Sequence, residues 1–245
     1  MNHYTHKPQF LLRSPLTATG KKLIIFFSVI YILELIVEHW LRFPIVELFQ
    51  LYPFENDRFA FFQYFTHPFV QHPTSPIHFL LNLLLLYFFS GPVEQAIGTK
   101  RFLTLFAVST YGGALCGLCF SGIQGFNQPF FGIMPGLMAF LVIFGMLSPE
   151  STLLLFFVIP IKAKFISYGT ILILFLGFLS KTNPGATYQL GGILIGYLYF
   201  NGLKKSIRSN KYYLNYLYRQ KQKKKSRFKV IDGISDDSED KPTYH

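Results

Sequence analysis

The feature that most constrains this chain is a series of apolar runs, each close to the length of a membrane span. The first run, residues 23–41, carries two charged residues, Glu34 and Glu38. A helix of about 20 apolar residues crosses the hydrocarbon core of a bilayer. Five more runs follow, at residues 77–97, 102–121, 130–147, 165–179 and 186–200. The pattern therefore predicts an all-α membrane protein with six spans, in which residues 151–159 are apolar but too short to cross.

Composition excludes a water-soluble domain. Charged residues make up 14% of the chain, against about 25% in soluble domains. The net charge of +11 is concentrated, because 11 of the 23 basic residues lie at positions 204–229. A basic tail beside a membrane meets anionic headgroups first, so lipid is the expected partner and nucleic acid is not. The acidic run at 232–240 is expected to be a solvated, disordered end.

The distribution of basic residues predicts the topology, because cytoplasmic loops are enriched in Lys and Arg. Six spans with both termini cytoplasmic leave three basic residues outside, Arg42, Arg58 and Lys181. The inside segments then hold the tail and Lys7, Arg13, Lys21, Lys22, Lys100, Arg101, Lys162 and Lys164. The predicted organisation is a cytoplasmic segment 1–22, a membrane domain 23–203 with an interfacial loop at 42–76, and a cytoplasmic tail 204–245. In a bacterium the membrane would be the plasma (inner) membrane, and no cleavable signal peptide is evident.

Polar and small residues within the spans indicate where helices meet. Intramembrane polar groups turn towards protein, so Glu34 is expected to face inward. His78 and Asn82 lie four residues apart, on one face of a helix. Gly-x-x-x-Gly pairs bring helices close, and they occur at Gly113/Gly117, Gly132/Gly136 and Gly192/Gly196. The two cysteines, Cys116 and Cys119, are interpreted as packing residues, with no disulfide framework, metal site or cofactor expected.

Several spaced motifs resemble the rhomboid family of intramembrane serine proteases. They are Phe-Gln-Tyr-Phe-Thr-His-Pro-Phe at 62–69, His-Phe-Leu-Leu-Asn at 78–82, Gly-Pro-Val-Glu at 91–94, Gly-Thr-Lys-Arg-Phe at 98–102, Ile-Pro-Ile-Lys-Ala-Lys at 159–164 and Gln-Leu-Gly-Gly-Ile-Leu-Ile-Gly at 189–196. The resemblance covers about residues 62–200. It implies a six-helix bundle in which a serine begins the fourth helix and a histidine on the sixth activates it. The serine N–H, with a histidine and an asparagine of the second helix, stabilises the oxyanion.

Carried onto this chain, the resemblance places the oxyanion-side pair at His78 and Asn82. The dyad positions hold Pro135 and Gln189. Proline has neither a hydroxyl nor a backbone N–H, and glutamine does not titrate. The remaining family positions are fold motif residues, namely Glu94, Gly98, Gly132, Gly136, Gly192 and Gly196. No serine lies between Ser121 and Ser148 to replace the nucleophile.

These residues favour a catalytically inactive rhomboid, a pseudoprotease that binds transmembrane segments of client membrane proteins in regulation, trafficking or quality control. Two alternatives stay open. One is an active rhomboid-type endopeptidase that uses other residues. The other is a small-solute transporter or channel, which is disfavoured because the spans show no pair of broken helices.

Overall fold

Apolar helices dominate the computed structural model, which describes residues 16–71, 76–155, 159–181, 183, 185–207, 216 and 218–219. The helices are α1 (Ala18–Leu35), α2 (Ile45–Phe49), α3 (Gln63–Thr66), α4 (Pro76–Ile97), α5 (Thr99–Gln124), α6 (Met134–Leu147), α7 (Ala163–Leu179) and α8 (Gly185–Ile207). A π-helical turn, Ile36–Trp40, continues α1, and a 3₁₀ turn, His67–Phe69, follows α3. Two strands, β1 (Thr152–Leu155) and β2 (Ile159–Lys162), precede α7.

Each of the six predicted apolar runs contains a helix: α1, α4, α5, α6, α7 and α8. Within the described residues, three stretches are long and apolar enough to cross a bilayer, Ala18–Trp40, Pro76–Ile97 and Thr99–Ile123. Two shorter apolar helices are Met134–Leu147 and Ala163–Leu179. The helical membrane architecture is thus as predicted.

Helix α6 forms the centre of the bundle, where α4, α5, α7 and α8 contact it. Its residues are buried without interruption from Pro135 to Gly145. A helix that is apolar on every side is stable when neighbours enclose it. Phe140 illustrates how closely the neighbours enclose α6. Its ring centroid lies 4.7 Å from that of Phe102 and 5.5 Å from that of Phe106, and the rings are stacked. The first turn of α6 is therefore fixed by packing on several sides.

Helices α5 and α8 pack closely through glycines. A Cβ on Gly113 would lie 2.5 Å from the Tyr188 carbonyl oxygen, and one on Gly196 would lie 2.5 Å from Ser109 Oγ. Since real Cβ atoms do not approach that closely, these positions admit only glycine without a shift of the neighbours. Gly113 and Gly196, one residue of each predicted pair, thus lie where α5 and α8 approach closely.

The Gly132/Gly136 pair was predicted wrongly as a helical pair. Gly132 has φ +77°, a left-handed conformation that favours glycine, and α6 begins only at Met134. Phe130, predicted as the start of this span, instead forms an antiparallel bridge with Leu51. A loop therefore occupies residues 130–133, directly before the buried helix.

The expectation of an all-α chain also needs a correction. Residues of the apolar run 151–159 form part of a β-hairpin, in which Thr152 pairs with Lys162 and Leu155 with Ile159. Pro160 has no N–H for a helix or a ladder, and in β2 it stands opposite Leu154. Glu150 forms ion pairs with Lys162 at 2.8 Å and Lys164 at 2.6 Å beside the hairpin. These lysines hold the pKa of Glu150 near 2.

The predicted tail falls largely outside the described residues. Helix α8 continues to Ile207, beyond the predicted end of the membrane domain at 203. Residues 1–15, 208–215, 217 and 220–245 are not described, and these include most of the basic segment and the whole acidic run. The lipid contacts predicted for the tail therefore stay predictions.

The predicted interfacial loop is a folded element. Gln63 organises it from within, because its Oε1 accepts hydrogen bonds from the backbone N–H groups of Ala60 and Tyr52. Its Nε2 donates to the carbonyls of Leu48 and Arg58. This internal bonding gives residues 45–71 a fixed shape and places their end against the start of α6.

Candidate functional site

Pro135, at the nucleophile position of the resemblance, lies in the first turn of α6 and is buried. Proline suits this turn, since its missing N–H has no intrahelical acceptor there. A Cβ on Gly113 of α5 would lie 2.6 Å from Pro135 Cβ, and one on Gly192 of α8 would lie 2.8 Å from Pro135 Cα. The proline ring therefore fills the space between α5 and α8.

Gln189, at the position of the base, lies one turn before Gly192 on α8 and is half-buried. Its Nε2 lies 3.5 Å from the place where a Cβ on Gly185 would stand. The carboxamide is thus directed towards the first turn of α8, the direction in which helical side chains lean. Nothing in the side chain of Pro135 offers it a hydrogen-bond partner.

The loop before α6 is held from two sides through Gly132. Its N–H donates to the carbonyl of His67 at 2.8 Å. Its carbonyl accepts a hydrogen bond from the Tyr188 hydroxyl at 2.6 Å. Tyr188 is buried and stacks on Phe130 at 5.3 Å. The residue next to the base position of the resemblance thus fixes the loop next to its nucleophile position.

His67 is a buried neutral histidine beside this loop. Burial lowers its pKa to about 4, although hydrogen bonds to the backbone act in the opposite direction. Its Nδ1 lies 2.8 Å from the Tyr64 carbonyl, and a carbonyl only accepts, so Nδ1 carries the proton. Its Nε2 is buried and has no hydrogen-bond partner within the described part of the chain. His67 contacts the loop through its backbone carbonyl, which accepts the Gly132 N–H.

Of the predicted oxyanion-side pair, one residue is enclosed. Asn82 is buried, and its Nδ2 donates to Gln71 Oε1 at 3.3 Å. His78, one turn earlier on α4, is exposed. The structure therefore brings Asn82 to the Gly132 loop through Gln71, and it does not enclose His78 with them.

The fold motif residues around Glu94 join three helices. Glu94 is buried on α4 and accepts hydrogen bonds from the hydroxyls of Thr17, Thr19 and Thr99. Gly98 has φ +86° and links α4 to α5, which glycine permits. Its N–H donates to the Glu94 carbonyl at 2.8 Å. This motif holds α1 and α5 at one end of α4.

Two contacts near the site were not anticipated from the sequence: Tyr188 with Gly132, and Gln71 with Asn82. The polar residues Gln63, His67 and Gln71 in an otherwise apolar segment were the available signal, because buried polar groups are usually hydrogen-bonded. Among the described residues, no three His, Cys, Asp or Glu side chains are grouped to bind a metal ion.

These features define a class: a helical membrane protein whose central helix starts in a buried turn, behind a loop held by hydrogen bonds and between two glycine-rich helices. A family model, the Rhomboid domain, matches residues 58–205. The match covers more than half of the chain, from the loop before α3 into α8, and the chain belongs to the rhomboid family. Helix α1 lies outside the matched region. No curated protein matches the chain.

Proposed function

We propose that this protein is a rhomboid pseudoprotease, which lacks proteolytic activity and binds transmembrane segments of client membrane proteins. The observation that carries the proposal is Pro135, buried in the first turn of α6 and packed against α5 and α8. In the family this position supplies both the nucleophile and an oxyanion donor. A proline there supplies neither.

The base position supports the same conclusion. Gln189 does not titrate and has no lone pair that takes a proton at ordinary pH. A serine nucleophile is weak unless an adjacent base activates it. With both dyad positions occupied by other residues, this site has neither a nucleophile nor a general base for acyl transfer.

The exposed apolar face of helix α7 supports the proposal that the protein binds client helices. Of its residues, all of them described, Ala163, Ser167 and Leu174 are buried. Its outer face exposes large apolar side chains, namely Phe165, Tyr168, Leu172, Ile173, Phe175, Leu176 and Leu179. Ser167 attaches it to α6 by donating to the Leu141 carbonyl at 3.2 Å. A client helix with loosened hydrogen bonds would pack along this face.

The catalytic part of the proposal is tested by a Pro135→Ser, Gln189→His double variant. We expect the wild-type protein and both single variants to react with no serine-directed fluorophosphonate and to cleave no model transmembrane substrate. Labelling or cleavage by the double variant alone, even at a low rate, would support the assignment of the dyad positions. Cleavage by the wild-type protein would establish the alternative, an active endopeptidase.

The binding part is tested by photo-crosslinking in membranes. A photoreactive residue at Ile173, which is 70% exposed on α7, is expected to crosslink a co-expressed single-span protein with glycines in its span. The matched control is Leu115, 49% exposed on α5. Equal crosslinking at both positions would argue against a client site on α7. Solute flux in proteoliposomes containing the purified protein would indicate a transporter or channel instead.

We further propose that α1, α4, α5, α6, α7 and α8 all cross the membrane and that both termini are cytoplasmic, in the inner membrane if the source is bacterial. The distribution of Lys and Arg supports this orientation. A cysteine introduced at Asn56 is expected to react with an impermeant maleimide from outside intact cells, in a background without the two native cysteines. A cysteine at Glu150 is expected to react only after the membrane is opened. The reverse labelling pattern would indicate the opposite topology, with Asn56 on the cytoplasmic side and Glu150 outside.

A further inference from the structure

A buried carboxylate on α1 contacts the segment that leads into α4. Glu34 is 4% exposed, and its Oε2 accepts a hydrogen bond from the backbone N–H of Gln71 at 2.9 Å. Gln71 is 4% exposed. A buried carboxyl oxygen that accepts a backbone N–H joins the two partners directly. The contact ties the outer part of α1 to the end of the 45–71 segment.

Gln71 in turn contacts the loop that precedes α6. A Cβ on Gly132 would lie 3.3 Å from Gln71 Oε1, so the carboxamide lies directly against this glycine. The same Oε1 accepts from Asn82 of α4. Four residues earlier, the carbonyl of His67 accepts the Gly132 N–H. The short segment 67–71 therefore holds the loop, and Glu34 holds that segment.

The contact also contains unused hydrogen-bonding capacity. Glu34 Oε1 and Gln71 Nε2 are both buried and have no hydrogen-bond partner among the residues that the structure describes. They lie on two residues that are already bonded through the Gln71 N–H.

Helix α1 is attached to the bundle by few contacts. Of its residues, all of them described, Gly20, Phe27, Tyr31 and Glu34 are buried. Tyr31 stacks on Phe79 of α4 at 4.0 Å. No hydrophobic effect drives helix association within lipid, so polar contacts and close packing decide it. The position of α1 thus depends on a small number of contacts, Glu34 among them.

We propose that Glu34 is a positioning residue, a latch through which the position of α1 sets the position of the Gly132 loop. Movement of α1 away from α4 withdraws the acceptor from the Gln71 N–H, and the contact of residues 67–71 with the loop before α6 is loosened. A transmembrane helix that packs against α1 would therefore act on the outer end of the central helix from a distance. This inference concerns α1, outside the matched family region, and is independent of whether α7 binds clients.

Amide hydrogen exchange on the full chain in lipid nanodiscs tests the latch. In Glu34→Leu, which has no acceptor, we expect exchange at residues 67–71 and 130–132 to be at least ten times faster than in the wild-type protein. In Glu34→Gln, whose amide oxygen still accepts, we expect exchange within about threefold of wild type. Exchange within α5 and α8 stays unchanged in both variants, which separates a local release from unfolding.

Glu38→Leu is the matched control. Glu38 lies one turn after Glu34 and accepts from the Val46 N–H at 3.3 Å, so its loss is expected to affect α2 and to spare residues 130–132. Unchanged exchange at 130–132 in a folded Glu34→Leu variant would overturn the proposal. Equal effects of the leucine and glutamine substitutions would overturn it as well, because the acceptor would then not be the cause.

A second measurement keeps the test decisive if Glu34→Leu does not fold. In a Cys116→Ala, Cys119→Ala background, Tyr31→Cys with Phe79→Cys allows a short bifunctional reagent to bridge α1 to α4. Bridging is expected to slow exchange at residues 130–132 at least threefold relative to the unbridged protein. No slowing after complete bridging would contradict the latch.

Discussion

Replacing Gly192 with alanine is expected to lower the free energy of unfolding by about 3 kcal/mol or more, in the range of severe overpacking. The added Cβ would stand 2.8 Å from Pro135 Cα and 2.9 Å from its carbonyl carbon. These are backbone atoms in the first turn of the most enclosed helix, so no flexible side chain can give way. Helices α6 and α8 would have to separate.

Gly169→Ala on α7 is the matched control. Apart from the backbone of α7 itself, no atom of the described residues lies within 4 Å of a Cβ at Gly169. In a helix interior, alanine is favoured over glycine by about 1 kcal/mol, so this variant should be slightly more stable than the wild-type protein. We therefore expect the unfolding free energy, measured by denaturant titration in mixed micelles, to fall in Gly192→Ala and to rise in Gly169→Ala. A neutral Gly192→Ala variant would show that α8 can move away from Pro135 freely.

Replacing Glu94 with leucine is expected to cost about 2 kcal/mol of unfolding free energy. The carboxylate accepts from Thr19 at 2.7 Å and from Thr99 at 2.6 Å, and also from Thr17. Interhelical hydrogen bonds in membranes contribute about 0.6 kcal/mol each on average, so the loss of three of them accounts for about 2 kcal/mol. Helix α1 should be the first element to separate, because two of the three donors precede or begin it.

Thr104→Ala provides the comparison for Glu94. The Thr104 hydroxyl donates to the Lys100 carbonyl within α5 and is exposed, so its removal should change stability by less than about 0.5 kcal/mol. Proteolysis of α1 followed alongside unfolding would distinguish local release from global loss. A Glu94→Leu protein as stable as Thr104→Ala would mean that the three hydroxyls find other acceptors.

Much of the fold follows from hydropathy, because the bilayer forces the backbone of each span into a helix. Runs of apolar residues therefore located α1, α4, α5, α6, α7 and α8. The starts of helices were harder to predict. Helix α6 begins four residues later than its apolar run, since Gly132 adopts a left-handed φ and Phe130 pairs with Leu51. An apolar run carries no information about such a bridge to a distant segment.

The candidate site stays a prediction, but the resemblance pointed to residues that the fold encloses. Pro135, Asn82, Gly136, Gly192 and Gly196 are buried on α4, α6 and α8. His78 is exposed, although its spacing from Asn82 predicted a shared face, because a helix face several residues wide can be buried at one end and open at the other. Gln71 and Tyr188 were missed, since their roles depend on long-range contacts with Glu34 and Gly132.

The packing of Pro135 has a consequence for the engineering of this protein. Its ring is a structural part of the junction between α5, α6 and α8, so a serine in its place would leave a gap and bring a hydroxyl into apolar surroundings. Under the proposed function, building a catalytic dyad here would lose stability with the first substitution, at Pro135, and gain chemistry only with the second, at Gln189. The two substitutions therefore have to be made together, in a background with stability to spare.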